Sequence, residues 1–243
     1  MPDPIFAHPR LAAIYDDLDG DRRDLEHYEA MVIELGATSV LDLGCGTGTF
    51  ACRLALSGYA VIGVDPAEAS LKVARGKPGA DRVSWILREV TTLPLSTRRV
   101  DLVTMTGNVA QVFVDDDSWT ATLRATHAAL RRGGHLVFES RNPAFESWKE
   151  WTKAASSTVT STAFGSVESW VELIDLALPR VSFRWSYRFV IDGIELTSDS
   201  TLRFRTLDEL VASVTAAGFT VDAVRDAPDR PGREFVIIAT RAD

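Results

Sequence analysis

VLDLGCGTG, residues 40–48, is the stretch that decides the fold. A short apolar run, TSVLDL at 38–43, meets three glycines spaced two apart, Gly44, Gly46 and Gly48. TFACRLALS at 49–57 then reads as a helix ending near Gly58. Glycine lacks a Cβ and accepts positive φ, so it serves where backbone must approach a ligand closely. A strand that turns into a helix also brings unpaired helix-end N–H groups to that place. The edge at which such a strand ends is where open α/β sheets bind ligands. Two ligand classes compete for the loop. The dinucleotide fingerprint is G-x-G-x-x-G. Thr49 stands where its third glycine should be, so that pattern fails. Asp42, two residues before Gly44, suits a cationic amino-acid headgroup better than a pyrophosphate.

Outward from the loop, strands and helices alternate. YAVIGVD (59–65), VSWIL (83–87), VDLVTMT (100–106) and HLVFES (135–140) are short apolar runs, the signature of strands covered on both faces. PAEASLKVAR (66–75) opens with Pro at a helix start, and Ser118 is placed to cap a helix running to about Arg132, stopped by Gly133 and Gly134. This alternation predicts βαβ units and a parallel sheet. Residues 9–35 read as helical and end at Gly36. After residue 141 the period changes. Val181, Phe183, Trp185, Tyr187 and Phe189 alternate with polar residues, Asp192-Gly193 supplies a type I′ hairpin turn, and 194–205 form the return strand, with 167–176 beside them. Thr206 to Glu209 is a capping box that starts a last helix to Ala217. TVDAVRD and EFVIIAT flank a linker too short for a helical crossover, so they pair antiparallel. The chain divides into a helical lid (1–36), a ligand-binding core (37–140), an antiparallel insertion (141–205) and a closing helix with a strand pair (206–243), all within one domain.

The 243 residues are enough for a full core, and the net charge of −8 opposes attraction to phosphate backbones. Nucleic acid and membrane are therefore not expected as partners, and no apolar run reaches membrane-span length. Two cysteines, Cys45 and Cys52, give neither a disulfide framework nor a zinc cluster, and the histidines show no metal spacing. MPDPIFAHPR has no apolar signal-peptide region, so a cytoplasmic location is expected.

VLDLGCGTG resembles motif I of class I S-adenosylmethionine-dependent methyltransferases of the small-molecule type. The resemblance covers about residues 38–140 and implies a Rossmann-like, doubly wound, mostly parallel seven-stranded sheet, with S-adenosylmethionine as cofactor. It implies cofactor contacts at Asp42, Gly44, Cys45, Gly46 and Gly48, a ribose contact from Asp65 with Pro66 beside it, and further contacts at Thr106 and Asn108. REVTTLPL (88–95) is similar to the family segment G-D-x-x-x-L-P, with Glu89 where the family has Asp near adenine and Val90 beside it. LRRGGHLVFE (130–139) is similar to the family's turn into the fifth strand, with Arg132 where proline is usual and His135 a turn residue. IYDDLDGDRRDLEHY is similar to a lid segment, which implies Tyr15 near the methyl donor and Tyr28 near the methionine end. NPAF at 142–145 follows the wrong strand to be an adenine-methylating motif and reads as a loop.

The residues leave Tyr15 and Asn108 as catalytic candidates and Gln111, Arg141 and Trp148 as substrate candidates. Arg141 has the chemistry to pair with an acidic group. No metal is expected. Three functions stay open: a small-molecule methyltransferase, a protein or RNA methyltransferase, and a non-catalytic module that binds the cofactor. A monomer and a homodimer are both compatible with the sequence.

Overall fold

The computed structural model describes residues 2–90 and 99–242. Helices α1 (Pro4–Ala7), α2 (Pro9–Ala12), α3 (Tyr15–Asp19) and α4 (Asp24–Glu34) come first. Strand β1 (Ser39–Leu43), α5 (Thr49–Leu56), β2 (Ala60–Asp65), α6 (Glu68–Ala74), β3 (Val83–Leu87), β4 (Val100–Met105), α7 (Asp116–Ala129) and β5 (Leu130–Arg141) follow. The remaining elements are α8 (Lys153–Ser156), β6 (Thr158–Thr162), β7 (Gly165–Ala177), β8 (Arg180–Phe189), β9 (Glu195–Arg203), α9 (Leu207–Ala216), β10 (Phe219–Asp226) and β11 (Glu234–Arg241).

Seven strands form one sheet in the order β10-β11-β5-β4-β1-β2-β3. β3, β2, β1, β4 and β5 run parallel, while β11 is antiparallel to both β5 and β10. Strand order reverses between β1 and β4, the topological switch point where open sheets leave a crevice at their carboxyl ends. The main core lies on one sheet face, where Leu41, Leu43, Val103, Met105, Leu136 and Phe138 pack against Trp119 and Leu123 of α7 and Leu210 and Val214 of α9. On the other face Val40, Val61, Leu102 and Val137 pack against α4 and α5 through Leu25, Val32, Phe50 and Leu54. This is the doubly wound α/β architecture expected from the alternating runs. Among the described residues no helix is long and apolar enough to cross a membrane.

Several local expectations are corrected. The helical stretch 9–35 is broken into three helices. Gly20, at φ 67 and ψ −139, cannot continue α3. Ile14, at φ −108, turns the chain so that both it and Leu11 face the insertion. α7 is capped by Asp115, whose carboxylate accepts from the Ser118 N–H at 2.7 Å; Ser118 is therefore the capped residue rather than the cap. That helix ends at Ala129, and Gly133-Gly134 lie inside β5 at a register shift against β4. A Cβ on Gly134 would meet the Asp101 carbonyl oxygen at 3.0 Å, so this glycine permits strand packing.

The insertion is a separate four-stranded antiparallel sheet, β6-β7-β8-β9, one strand more than its periodicity indicated. β6, TVTST, is short and polar and carries no apolar alternation. The β8–β9 connection is not a two-residue type I′ turn. That turn needs positive φ at both central residues, and only Gly193 has it. Instead Gly193 N–H donates to the Phe189 carbonyl at 2.8 Å, closing a longer loop. Alternation along β8 holds at its two ends, where Val181, Phe183, Tyr187 and Phe189 are buried and Arg180, Arg184 and Arg188 are exposed, but in the middle Trp185 is half-buried and Ser186 is buried. One end of this sheet packs on the lid, Val167, Tyr187 and Phe189 meeting Ile5, Leu11 and Ile14. The other end packs on itself around Trp148, Val171, Phe183 and Phe204.

Candidate functional site

Beyond the carboxyl ends of β1 and β4 lies a cavity of about 670 Å³, within the size range of small-molecule sites. Its floor is Asp42, Gly44, Cys45 and Gly46 from the β1 loop, one wall is Thr106, Gly107, Asn108 and Val109 after β4, and Arg141 closes the end of β5. The roof comes from the lid, Phe6, Tyr15 and the Asp19–His27 stretch, and Asp229 and Arg230 reach in from the β10–β11 loop. Residues far apart in sequence meet here because every contributing parallel strand ends on the same sheet edge.

The floor is built before any ligand arrives. Gly44 and Cys45 N–H groups both donate to the Val64 carbonyl, at 2.8 and 3.1 Å, and Gly46 N–H donates to Asp65 Oδ2 at 2.9 Å. These amides are therefore spent inside the protein and do not point at a ligand. The three glycines do different work. A Cβ on Gly44 would lie 2.6 Å from Val109, and one on Gly48 would lie 2.5 Å from Trp85 and 2.8 Å from Ala74. Both glycines permit close packing, and Gly48 faces away from the cavity. A Cβ on Gly46, at φ 52, would meet nothing within 4 Å, so this is the glycine whose missing side chain leaves room in the cavity.

Asp65 ends β2 with one oxygen on Gly46 N–H and the other on Ala67 N–H at 2.8 Å, so it both pins the loop and steadies the entry to α6. Burial raises its carboxyl above the usual range, and the two backbone bonds oppose that shift. Asp42 is 1% exposed and accepts from Thr104 Oγ1 at 3.1 Å. Burial pushes its carboxyl up to about 7, with Asp65 adding to the shift and Thr104 opposing it. A carboxylate held on the edge of ionisation under a glycine loop is a ready partner for a cation. Cys45 is no nucleophile: burial, then Asp42 and Asp65, push its thiol well up.

The lid is clamped to the loop. Asp16 accepts from Thr47 Oγ1 at 2.7 Å and pairs with Lys77 at 2.7 Å, while Lys77 also donates to Thr49 at 2.6 Å. The neighbouring Tyr15 lines the cavity, its ring tilted 5.5 Å from Phe6. Burial, then Asp19, hold its phenol well above the ordinary range, so Tyr15 is a neutral hydroxyl at physiological pH. Tyr28 does not line the cavity. It packs edge-on against Phe50, and its hydroxyl donates to Glu139.

Asn108 sits at φ 61, in the left-handed region that asparagine tolerates better than other non-glycine residues. Two carboxylates hold it there. Asn108 N–H donates to Glu139 Oε1 at 3.0 Å, and its side-chain amide donates to Glu234 Oε1 at 2.8 Å. Asn108 lines the cavity, and among the described residues its Oδ1 is buried without a hydrogen-bond partner. Glu139 and Glu234 were not singled out in the sequence. Each stands in an apolar strand where its burial pattern predicts a core residue, and that mismatch was the available signal.

The other expected residues lie elsewhere. Asp65, Pro66, Glu89, Val90, Gln111 and Trp148 do not line the cavity. Glu89 is exposed, Val90 is buried in the main core, and positions 91–95 of REVTTLPL fall outside the described residues. Gln111 is buried behind Arg141 and accepts from its guanidinium at 2.9 Å. Trp148 packs edge-on against Phe204 at 4.9 Å in the insertion's own core, because the short helical turns after β5 fold it away from the cavity.

Residues 40–134 match the family model described as a methyltransferase domain. They are a methyltransferase domain. Demethylmenaquinone methyltransferase of Clavibacter sepedonicus is 33% identical over 107 residues, covering 44% of this chain and 42% of that enzyme. Ubiquinone biosynthesis O-methyltransferase of Pseudomonas syringae pv. tomato is 34% identical over 114 residues, 45% of this chain and 47% of that one. The chain spans less than half the length of these curated relatives. The fold extends further. An amino pentose methyltransferase from Micromonospora echinaspora involved in calicheamicin biosynthesis, solved with S-adenosylmethionine bound, superposes with a TM-score of 0.73 at 21% identity over 95% of each chain. The resemblance carried by VLDLGCGTG thus holds for the methyltransferase domain at residues 40–134 and for the fold. Among the described residues no group of side chains could hold a metal ion.

Proposed function

We propose that the protein transfers a methyl group from S-adenosylmethionine to a small-molecule acceptor. The observation that carries this reading is the cavity, in which the glycine loop of the methyltransferase domain faces a roof made from the chain's own lid. The residues fit the donor. Gly46 leaves open space and Asp42 is a carboxylate poised for a cation. Gly44, Cys45, Gly46 and Asp42 would hold its methionine part, and Asp65, which stands behind the lining but is bonded to Gly46, would reach its ribose. When bound, S-adenosylmethionine supplies an already activated methyl group.

What remains for the protein is alignment and exclusion of water. The lid, clamped through Asp16, closes the cavity over the floor. Asn108 lines the cavity wall, and Tyr15 offers a neutral donor hydroxyl. A general base is needed only where the acceptor atom must lose a proton. The relatives favour a small acceptor in their printed names, a quinone precursor for two and an amino pentose for the third. Negative charge and a roofed cavity disfavour nucleic acid. The two free cysteines suit a reducing, cytoplasmic setting. The test is a metabolite screen with S-adenosylmethionine, read as mass gain of one methyl group. A full panel without methyl gain, on protein that binds the donor, would leave only a binding module.

A further inference from the structure

Four arginines line the cavity: Arg22, Arg23, Arg141 and Arg230. Three have carboxylates of their own. Arg22 pairs with Asp19 at 2.7 Å and Asp24 at 3.0 Å, Arg23 with Asp21 at 2.6 Å, and Arg230 with Asp229 at 2.9 Å and Glu234 at 3.1 Å. Among the described residues Arg141 has no carboxylate oxygen within ion-pairing distance, although its cross-strand neighbour is Glu234. That glutamate is taken by Asn108 and Arg230. The hydrogen bond of Arg141 goes to a neutral group, Gln111 Oε1 at 2.9 Å. Gln111 is itself held, its amide nitrogen on the Arg203 carbonyl at 3.4 Å, so its oxygen is presented to Arg141.

A guanidinium has five N–H donors in a planar fork. One Nη1 donor is used to fix its orientation, and the rest of the fork is left at the cavity. Glu234 and Glu139 act on this guanidinium without touching it, burial still lowers its pKa, and an anion brought into direct contact by a ligand would offset the remaining cost. A carboxylate matches the fork with two parallel bonds. We propose that the acceptor carries a carboxylate and that Arg141, positioned by Gln111, binds it. This rests on the methyl-transfer reading above and deepens it by naming the acceptor class. The lining beside Arg141 supports a compact acid with an apolar part, since Phe6, Tyr15 and Val109 face the same space.

The experiment is isothermal calorimetry on the intact protein in two stages. S-adenosylhomocysteine is titrated first; absence of binding would sink the donor reading by itself. Acetate and benzoate, with acetamide and benzamide as neutral isosteres and inorganic phosphate as a rival anion, are then titrated with and without S-adenosylhomocysteine. The acids should bind and the amides should not. Arg141→Gln should weaken benzoate by about 10- to 100-fold, the range for losing charge-assisted hydrogen bonds. Gln111→Glu keeps the arginine but gives it an internal anion, and it should abolish acid binding to the same degree. Together the two variants keep the proposal testable should one fail to fold. Amides binding as well as acids, phosphate binding more tightly than any acid, or benzoate unaffected by either variant would each overturn it. So would a loss of S-adenosylhomocysteine affinity in Arg141→Gln without acid present, which would assign the arginine to the donor's own carboxylate.

Discussion

The floor of the cavity and the antiparallel insertion obey opposite rules. In the glycine loop, position along the chain dictates role: Gly44 packs on Val109, Gly46 donates to Asp65 and leaves open space, and Gly48 packs on Trp85. In the insertion, the alternating aromatics of β8 need only fall on one face, and the lid and Trp148 divide that face between them. A motif is legible where backbone geometry is the constraint. A hydrophobic pattern is legible only as far as burial, without saying what is buried against what.

Six variants break or sharpen that contrast. The largest effect belongs to the insertion. Trp148→Ala should cost about 3–5 kcal/mol in urea unfolding, the usual range for a buried tryptophan, and leave the donor's Kd unchanged; a selective loss of ligand binding would return Trp148 to the cavity. Next come the glycines. Gly48→Ala should cost about 2–4 kcal/mol from overpacking on Trp85 together with positive φ. Gly46→Ala should cost only about 1 kcal/mol, yet weaken S-adenosylmethionine binding by about tenfold or more, because its methyl group enters open cavity. Equal stability losses at both positions would erase the distinction drawn between them.

Asp65→Ala should weaken donor binding by about 10- to 100-fold in calorimetry, the scale of a lost charge-assisted pair of hydrogen bonds. Unchanged affinity would leave Asp65 as a loop fastener alone. Asp42 gives a pH signature. A bound cation favours its ionised form and lowers its pKa, so binding releases a proton. With the free value at about 7, S-adenosylmethionine binding at pH 7 should release about half a proton. Affinity should rise between about pH 6 and 8 and then level off. Calorimetry in two buffers of different ionisation enthalpy reads the release, and Asp42→Asn should remove it. The smallest effect is Asp16→Ala, expected to cost under about 1 kcal/mol, since the ion pair is partly exposed. Its readout is faster proteolytic cleavage of the lid at unchanged global stability.

The parallel core, the order of its elements and the capping box at Thr206 could be read from the sequence because local chemistry and tertiary role coincide there. Asp115 was missed as a cap because three consecutive aspartates and Ser118 all offer capping chemistry, and only the helix axis chooses among them. Glu139 and Glu234 were missed because their meaning arises across the sheet. Neither has a motif; they matter because β5 and β11 are antiparallel neighbours, and β5 ends where β11 begins, beside Asn108. Arg141 was singled out by its position after a strand, but its distinguishing feature, being the cavity arginine without a carboxylate, emerges only when the partners of the other three are known. Gln111 was placed at the substrate for the same reason and turned out to stand one layer behind.

The spent amides of the floor have a kinetic meaning. Nothing in that surface must rearrange to receive the donor, so the ordering required on binding falls on the roof. Under the proposed transfer, exchange of donor requires the contacts of Asp16 with Thr47 and Lys77 to open. If that opening limits the proposed turnover, a variant that quickens it, such as Asp16→Ala, should raise the maximal rate while loosening the hold on both ligands.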